Sequence, residues 1–515
     1  MIPYAKYPGL SPLFLDFLRG LPEFFPDPPS IDAAAERGRR LIASGRGARI
    51  PASAFRSRGA EAARLAQELA AGRAVGVGAG HQVGLFTGPL FTFVKALDAI
   101  RVARELTRRG VPAVPVFWAL TDDHDLQEVA RTAKPGPEGP QVLVLDGADR
   151  QNRHPVGRLR ISEAICGIVD AFRPDAQTEE AAKTLEAFAS RSAPGTFYGD
   201  AFIETLLDLV DPDPFLVLDP LGAELRSPTV ELFLEAARRK VALRETLEAT
   251  EEKLRRAGKP VPVPLPDGFS FFTIDSDERR RIEDLPAAIA RVEAGVAWPS
   301  ADVLTRPVLK SYVFPMAASV LGAAEIAYHA QSLPLFPLLG ITAPVLISRT
   351  HVVLRGPVER RLSAQLNLPE EDLLSPPADM PSSRVPEADE LARLAKSMES
   401  RLASLGPPLE ELDASLAGAL ETARKKIAYQ FEHLADRARR AAERKEGVAA
   451  NRRLRLERAL LPGGVPAERI YPPLTAMMAW GRGAVGDALR RAVCGSREGA
   501  VVVDLGLTEG ETHAR

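Results

Sequence analysis

Cysteine is scarce: Cys166 and Cys494 are the only two in 515 residues. Two thiols that far apart exclude a disulfide framework and a cysteine-rich zinc site, and they suit a reducing, cytoplasmic setting. Long apolar runs are missing as well, so nothing reads as a membrane span. The start, "MIPYAKYPGLSPLFLDFLRG", has no basic segment ahead of an unbroken apolar core; Pro3, Pro8 and Pro12 interrupt it, which argues against a signal peptide. Excess charge of either sign is absent. Lys and Arg number 66 against 68 Asp and Glu, a net charge of −2, so no global field recruits nucleic acid or an anionic membrane. No internal repeat occurs. What is present is ordinary for a globular chain, 45% apolar and 26% charged, and the length predicts two or three domains. The 44 prolines concentrate in loop-like clusters such as "PEFFPDPPS", "KPGPEGP" and "LSPPADMP".

Residues 61–71 read as a helix and 73–79 as a short strand. Over 89–109, Leu90, Val94, Leu97 and Ile100 recur at steps of 4, 3 and 3, one face of a helix. Pro89 suits the first helical position and Gly110 the stop. The apolar run "VPAVPVFWAL" that follows predicts a buried strand. Strand, loop, helix and strand over 73–119 make a βαβ unit, the building block of a parallel sheet. Further strand candidates are 141–146, 215–219, 269–274 and 343–348. The expected fold class is therefore α/β, a parallel-sheet core over residues 1–375 with inserted segments near 150–200 and 240–300.

Beyond "LLSPPADMPSSRVP" the pattern changes. From Leu409 to Leu461 there is no proline and only two glycines, Gly418 and Gly447. Leu409, Leu412, Leu416, Leu420, Ala423, Ile427, Phe431, Leu434, Ala438 and Ala441 recur at steps of 3, 4, 4, 3, 4, 4, 3, 4 and 3, a coiled-coil seam that could run roughly 80 Å. With a helix over 386–405 and a turn at Gly406-Pro407, this predicts an antiparallel coiled-coil arm over 376–465. Its stripe could pack on itself alone or also serve a subunit interface. Residues 466–515 would then return to the core through a last helix and "AVVVDLGL".

Two βα junctions carry more polar equipment than a turn needs. In "AGHQVGLFTGPLF" (79–91), Gly80, Gly84 and Gly88 would let a ligand approach the backbone, and the helix that follows would attract a phosphate or carboxylate to its N-terminus. Thr87 could cap that helix or meet the anion. The spacing is neither G-x-G-x-x-G nor G-x-x-x-x-G-K-[ST], so a purely structural turn stays open. The second junction, "TDDHDLQEVA", brings Asp122, Asp123, His124, Asp125 and Glu128 into seven residues. Such a set could accept an amine, orient a sugar hydroxyl or hold Mg²⁺ through oxygens. Helix capping explains one of the aspartates. No second histidine stands at helical spacing, so no transition metal is expected. In an open α/β sheet both loops would face one edge, the edge where ligands bind.

The block from Gly80 to Val129, "GHQVGLFTGPLFTFVK" through "PVFWALTDDHDLQEV", resembles the signature of the bacillithiol biosynthesis cysteine-adding enzymes, a family of cysteine ligases. That family reads T-G-Q-Q-x-G-L-F-T-G-P-L-Y-T, then P-V-F-W and D-H-D-x-x-E. "YGDAFIETLLDLVDPDPFLVLDP", the segment from "VLTRPVLKSYVFP" through "AAEIAYHAQ" to "APVLISR", and the coiled coil running into "LLPGGVPAERIYPP" resemble further family blocks, so the likeness covers nearly the whole chain in order. It implies a Rossmann-like core of the class I nucleotidylyl-transferase type and a coiled-coil arm that makes a homodimer. The implied activity is amide formation between cysteine and glucosaminyl-malate, with ATP or ADP and Mg²⁺ as cofactor candidates; a relative that only binds a nucleotide or sugar as a dimeric scaffold is the alternative. The chain departs from the family pattern at Ala79 and His81, at Lys310-Ser311 in place of Q-D, at Leu321-Gly322-Ala323 in place of G-G-P, at a single Arg349, and at Ala467-Glu468-Arg469 in place of Q-E-R.

On this reading Gly80, His81, Gln82, Gly84, Thr87 and Gly88 would hold a phosphate, with His81 and Gln82 donating to its oxygens. Asp122, Asp123, His124 and Asp125 would hold the sugar or take the proton of the attacking amine. Glu128 would assist binding. Arg306 and Arg349 are candidate clamps for malate's carboxylates. Glu325, Tyr328 and His329 share a helix face, from which Glu325 could read an ammonium or a hydroxyl. Lys95, six residues into its helix, is expected at the surface. His154, His351, His433 and His513 read as structural or solvated, and Trp118 as core.

Overall fold

Glycine at every second position of "VGVGAG" decides how the central sheet is covered. In the computed structural model, Gly76, Gly78 and Gly80 fall on one face of the strand Val75–Gln82. A Cβ there would lie 2.4 Å from the Phe314 ring, 2.3 Å from Met316 Sδ and 3.0 Å from Lys310 Nζ, respectively. The alternation therefore clears one face for close approach of the segment 306–316. The structure describes residues 1–145, 152–265, 268–375, 385–494 and 498–506, together with most side chains of the long C-terminal helix. His513 and the last residues of the 141–146 and 500–507 strand candidates lie outside them.

Six strands form the central sheet: β1 (Phe55–Ser57), β2 (Val75–Gln82), β3 (Ala113–Leu120), β4 (Leu216–Leu218), β5 (Met316–Leu321) and β6 (Val345–Ser348). Their order is β6-β5-β2-β3-β4-β1. The first five are parallel and β1 closes one edge antiparallel. The chain builds outward from β2 to β3 and β4, then crosses back to β5 and β6. The direction of winding thus reverses between β2 and β5, which opens a crevice at their carboxyl ends. On β3, Phe117 and Ala119 join the core on one face of the sheet, and Val116 and Trp118 join the core on the other. Three helices carry the site: α1 (Leu90–Arg108), α2 (Arg306–Val313) and α3 (Ala323–Ser332).

Several expectations are corrected. β2 runs on to Gln82, so Gly80, His81 and Gln82 belong to a strand and not to a loop. Pro89 caps α1 from outside, with Leu90 the first helical residue. The candidates near 141–146 and 269–274 form strands, Gly139–Val144 and Phe271–Asp275, but in separate antiparallel sheets: the first pairs with Arg131–Gly136, the second with Glu278–Arg281 and Trp298–Ala301. A central strand, β5, was not anticipated at all. Gly499–Asp504 pairs in parallel with Val352–Arg355.

The chain divides into two compact units, residues 1–358 with 370–374 and 459–515, and residues 359–369 with 375–458. The second is helical, with α4 (Pro386–Ala403), α5 (Gly406–Leu412) and α6 (Ala414–Leu460). At 47 residues, α6 is about 70 Å long. Asp413, at φ −162° and ψ 123°, breaks the expected seam, so Leu409 and Leu412 leave the long helix for a separate short one, which also takes in Gly406 and Pro407 where a simple turn was expected. Arg424 of α6 reaches Glu399 of α4 at 3.5 Å, and Arg453 of α6 reaches the Ser375 carbonyl. Leu394, Met398, Leu405, Leu412, Leu416 and Leu434 of this unit are exposed.

Candidate active site

The carboxyl ends of β2, β3 and β5 open into one cavity of about 770 Å³. His81 and Gln82 reach it from β2. Asp123, His124, Asp125 and Glu128 reach it from the β3 junction, Arg306 and Lys310 from α2, Glu325 and Tyr328 from α3, and Arg349 from the end of β6. The two junctions singled out in the sequence therefore meet across a single crevice. The pairing of His81 with Ala119 and of Gln82 with Leu120 holds them side by side.

His81 packs edge-on against Phe91 at 5.0 Å, and its Nδ1 lies 3.1 Å from the Gln82 carbonyl. A carbonyl only accepts, so Nδ1 carries the proton and Nε2 is left as an acceptor. Burial, reinforced by the charge of Lys95, pushes the imidazole down to about 4. At neutral pH His81 thus accepts a hydrogen bond, where the sequence suggested a donor to phosphate. His124 has the opposite arrangement. Its Nδ1 accepts from the Arg279 guanidinium at 2.8 Å, which leaves the ring proton on Nε2.

Arg279 organises this side of the site. Besides His124, it donates to Ser300 Oγ at 3.1 Å, to Asp123 Oδ1 at 3.3 Å and to the Ala301 carbonyl at 3.2 Å, while stacking over Phe272 at 3.8 Å. Asp123 also faces Arg306 at 3.9 Å. Burial alone would raise the Asp123 carboxyl, but its hydrogen bond with His124 and the charges of Arg306 and Arg279 hold it well below the usual carboxylate range. Arg306 lines the cavity and keeps its buried Nε without a hydrogen-bond partner.

The opposite wall is a buried ion pair. Lys95 donates to Glu325 Oε2 at 2.6 Å and to the Gly80 carbonyl at 2.9 Å. Glu325 also accepts from the Gly322 amide at 2.7 Å, capping α3. Despite burial, the charge of Lys95 and the hydrogen bond from it bring Glu325 down to about 2. Lys95 is therefore not the surface residue its depth in the helix suggested: Glu325 reads this ammonium. Tyr328 stands beside it in the cavity, and burial raises its phenol far above the ordinary range.

Other expected residues serve elsewhere. Thr87 is fully buried and donates to the Phe86 carbonyl, so it neither caps α1 nor meets a ligand. The amides of Gly84, Gly88 and Leu90 bond to the carbonyls of Gln82, Leu85 and Tyr471. Those three donors are consumed and are not open to a phosphate. Gly84 and Gly88 instead line an adjoining lobe of about 510 Å³. Asp122 turns away from the cavity to accept from Ser300 Oγ at 2.6 Å, which ties β3 to the inserted sheet. Asp125 caps the short helix Leu126–Val129 through the Glu128 amide at 3.1 Å. With the acids turned to separate partners, no group of three His, Cys, Asp or Glu side chains among the described residues converges as a metal site. The fork of Arg349 is filled by Glu468 at 2.7 and 2.9 Å, so only its Nε remains free, less than a carboxylate clamp requires. His329 is buried with Nδ1 2.7 Å from the Glu325 carbonyl, and His351 sits among Tyr4, Tyr7 and Phe14.

Sequence reasoning missed Arg279, Lys95 and Glu468. Nothing separates Arg279 from Arg280 and Arg281 except strand alternation, which needs the strand boundaries first. Glu468 lay in plain view as the middle of "AER", next to Arg469 that lines the cavity.

A doubly wound parallel sheet with a cation-rich cavity at its switch point, joined to a helical hairpin, defines a Rossmann-like protein with a coiled-coil unit. Residues 52–350 match the family described as bacillithiol biosynthesis BshC, N-terminal Rossmann-like domain, and residues 381–492 match the BshC C-terminal coiled-coil domain. The chain belongs to the BshC family. It is 30% identical to a relative from Koribacter versatilis over 76% of each chain, and 28% identical to one from Solibacter usitatus over 88% of this chain and 87% of the relative. A relative from Geobacillus thermodenitrificans is 28% identical over 76% and 77% of the two chains. All three carry the name "Putative cysteine ligase BshC". No described helix is long and apolar enough to cross a membrane.

Proposed function

We propose that this chain joins cysteine to glucosaminyl-malate through an amide bond, completing bacillithiol in the cytoplasm. The observation that carries the reading is the charge arrangement of the switch-point cavity. Arg306 keeps a buried donor unpartnered, Lys310 has no carboxylate within 4 Å among the described residues, and ionised Asp123 faces Arg306. Malate's carboxylates suit the cationic side, and an ammonium suits Asp123.

Amide formation needs an activated carboxyl, a neutral amine held in line, and compensation for the oxyanion. Arg306 would anchor the malate end. Asp123 would orient the amine, and His124 Nε2–H would donate to a sugar hydroxyl or to the oxyanion. His81 Nε2 would accept from a hydroxyl or an amine. A nucleotide, with Mg²⁺ on its phosphates, would meet the cavity's cations and not the loop backbone; when bound, it would supply the phosphate-containing group that activates cysteine's carboxyl. Unit two, with its exposed leucines, would pair two copies of the chain.

Purified protein incubated with cysteine and glucosaminyl-malate, with and without ATP, tests the reading by mass spectrometry of the amide. Product with both substrates supports it. Retained nucleotide binding with no product from any thiol amino acid supports the scaffold instead.

A further inference from the structure

Lys95, Arg279, Arg306 and Arg349 each lie within 4 Å of a carboxylate. Lys310 also lines the cavity, but no carboxylate among the described residues approaches its Nζ that closely, and its Nζ makes no hydrogen bond to a described residue. Its position is built. Lys310 stands one turn after Arg306 on α2, so both face the crevice. Its Nζ lies 5.9 Å from the Trp118 ring centroid. It also occupies space that any side chain at position 80 would invade, 3.0 Å from where a Cβ would stand. Gly80 thus sits between two lysines: Lys95 bonds its carbonyl, and Lys310 packs over its α-carbon.

These lysines differ in chemistry. Lys95 is locked in an ion pair. Lys310 has a free nitrogen facing a cavity already rich in positive charge. Around it stand Glu325 and His329 from α3, Arg306 from its own helix, Lys95 from α1 and Asp122 from the end of β3. Burial lowers the ammonium most; Glu325 and Asp122 oppose that, Arg306 and Lys95 add to it, and the result is about 7. The free amine, with a lone pair that an ion-paired lysine cannot offer, is thereby brought within reach at neutral pH.

We propose that Lys310 is the proton acceptor for the attacking amine in amide formation, a catalytic role that rests on the ligase reading above. The acceptor's ammonium gives one proton to Lys310 Nζ and becomes a neutral amine. Its nitrogen lone pair forms the C–N bond at the carboxyl carbon, which arrives activated by a nucleoside triphosphate. The C–O bond to the phosphate group breaks, and the leaving oxygen takes the electron pair together with the second proton from nitrogen. Lys310 returns its proton to water before the next turnover.

Two measurements test this. In the first, acetic anhydride labelling of the intact protein across pH, mapped by mass spectrometry, reads Lys310 without any turnover. A midpoint near 7 is expected, and a midpoint at the ordinary lysine value of about 10.4 overturns the proposal. In the second, Lys310→Ala and Lys310→Arg are compared with wild type for amide formation. Both should lose about 100-fold or more in kcat/KM at pH 7. Added methylamine should restore Lys310→Ala and leave Lys310→Arg unchanged. Near-normal rates in Lys310→Arg would show that only the charge matters and overturn it, as would a Lys310→Ala protein of normal fold that methylamine does not rescue. A wild-type protein that makes no amide sinks the ligase reading itself, a result distinct from either variant's.

Discussion

Lys95 and Glu325 meet at 2.6 Å across 230 positions of sequence, with the lysine side chain only 1% exposed. The pair joins α1 to the start of α3 and fixes the Gly80 carbonyl between them. Breaking one partner of such a pair leaves an uncompensated charge inside the protein. Lys95→Met should destabilise the fold by about 3–5 kcal/mol. Lys95→Met combined with Glu325→Gln should recover part of the loss. Urea denaturation of the three proteins checks both statements.

Acid stability should depend on histidines. His81 and His329 are each pushed down to about 4 by burial, and His351 is pushed the same way. The unfolded chain binds protons at these rings near pH 6.5, before the folded chain does. Stability should therefore fall as pH drops from about 6.5 toward 4, by as much as about 1.4 kcal/mol per pH unit for each ring. Below about 4 the His81 contribution to the slope ends. His81→Gln should make the decline shallower by one proton. Denaturation midpoints measured between pH 7 and 4 give the slope, and an unchanged slope would contradict the buried neutral ring.

Asp123 and Arg279 should matter for turnover more than their neighbours. Asp123→Asn removes the charge opposite both Arg279 and Arg306 and should cost about 100-fold or more in kcat/KM. Arg279→Lys keeps the charge but cannot reach Ser300, Asp123, His124 and Ala301 together; a drop of roughly 10- to 100-fold is expected. Asp125→Ala, which removes only a helix cap, should cost about 1 kcal/mol of stability and little activity. Steady-state kinetics with thermal melts separates these outcomes.

Much of this site was legible because it lies at strand ends. The βα junctions after β2 and β3 announce themselves by polar residues placed where an apolar run stops, and both reach the cavity. The coiled coil was legible from its 3–4 spacing. Other features were not. β5, "MAASVL", is rich in alanine and serine, which have weak strand preference, and only its burial between β2 and β6 makes it a strand. Lys95 looked like a surface residue because its partner comes from another part of the chain. Gly80 suggested a ligand's approach, but it admits Lys310, as Gly76 and Gly78 on the same strand face admit Phe314 and Met316. Tertiary contact, which periodicity does not encode, decides each of these cases.

The helical unit gives a separate prediction. Leu416 is 37% exposed and lies near the start of α6. If the exposed leucines pair two chains, Leu416→Glu should shift the protein to monomer by light scattering with helicity retained. The same mass for wild type and variant would rule Leu416 out of a subunit contact.

The central claim is that the switch-point cavity, through Arg306, holds the anionic end of the acceptor. Isothermal titration of glucosaminyl-malate into wild type and Arg306→Ala tests it most directly. The account predicts saturable binding to wild type, weakened by about 10-fold or more in the variant at unchanged thermal stability. Equal affinity in the two proteins would contradict it.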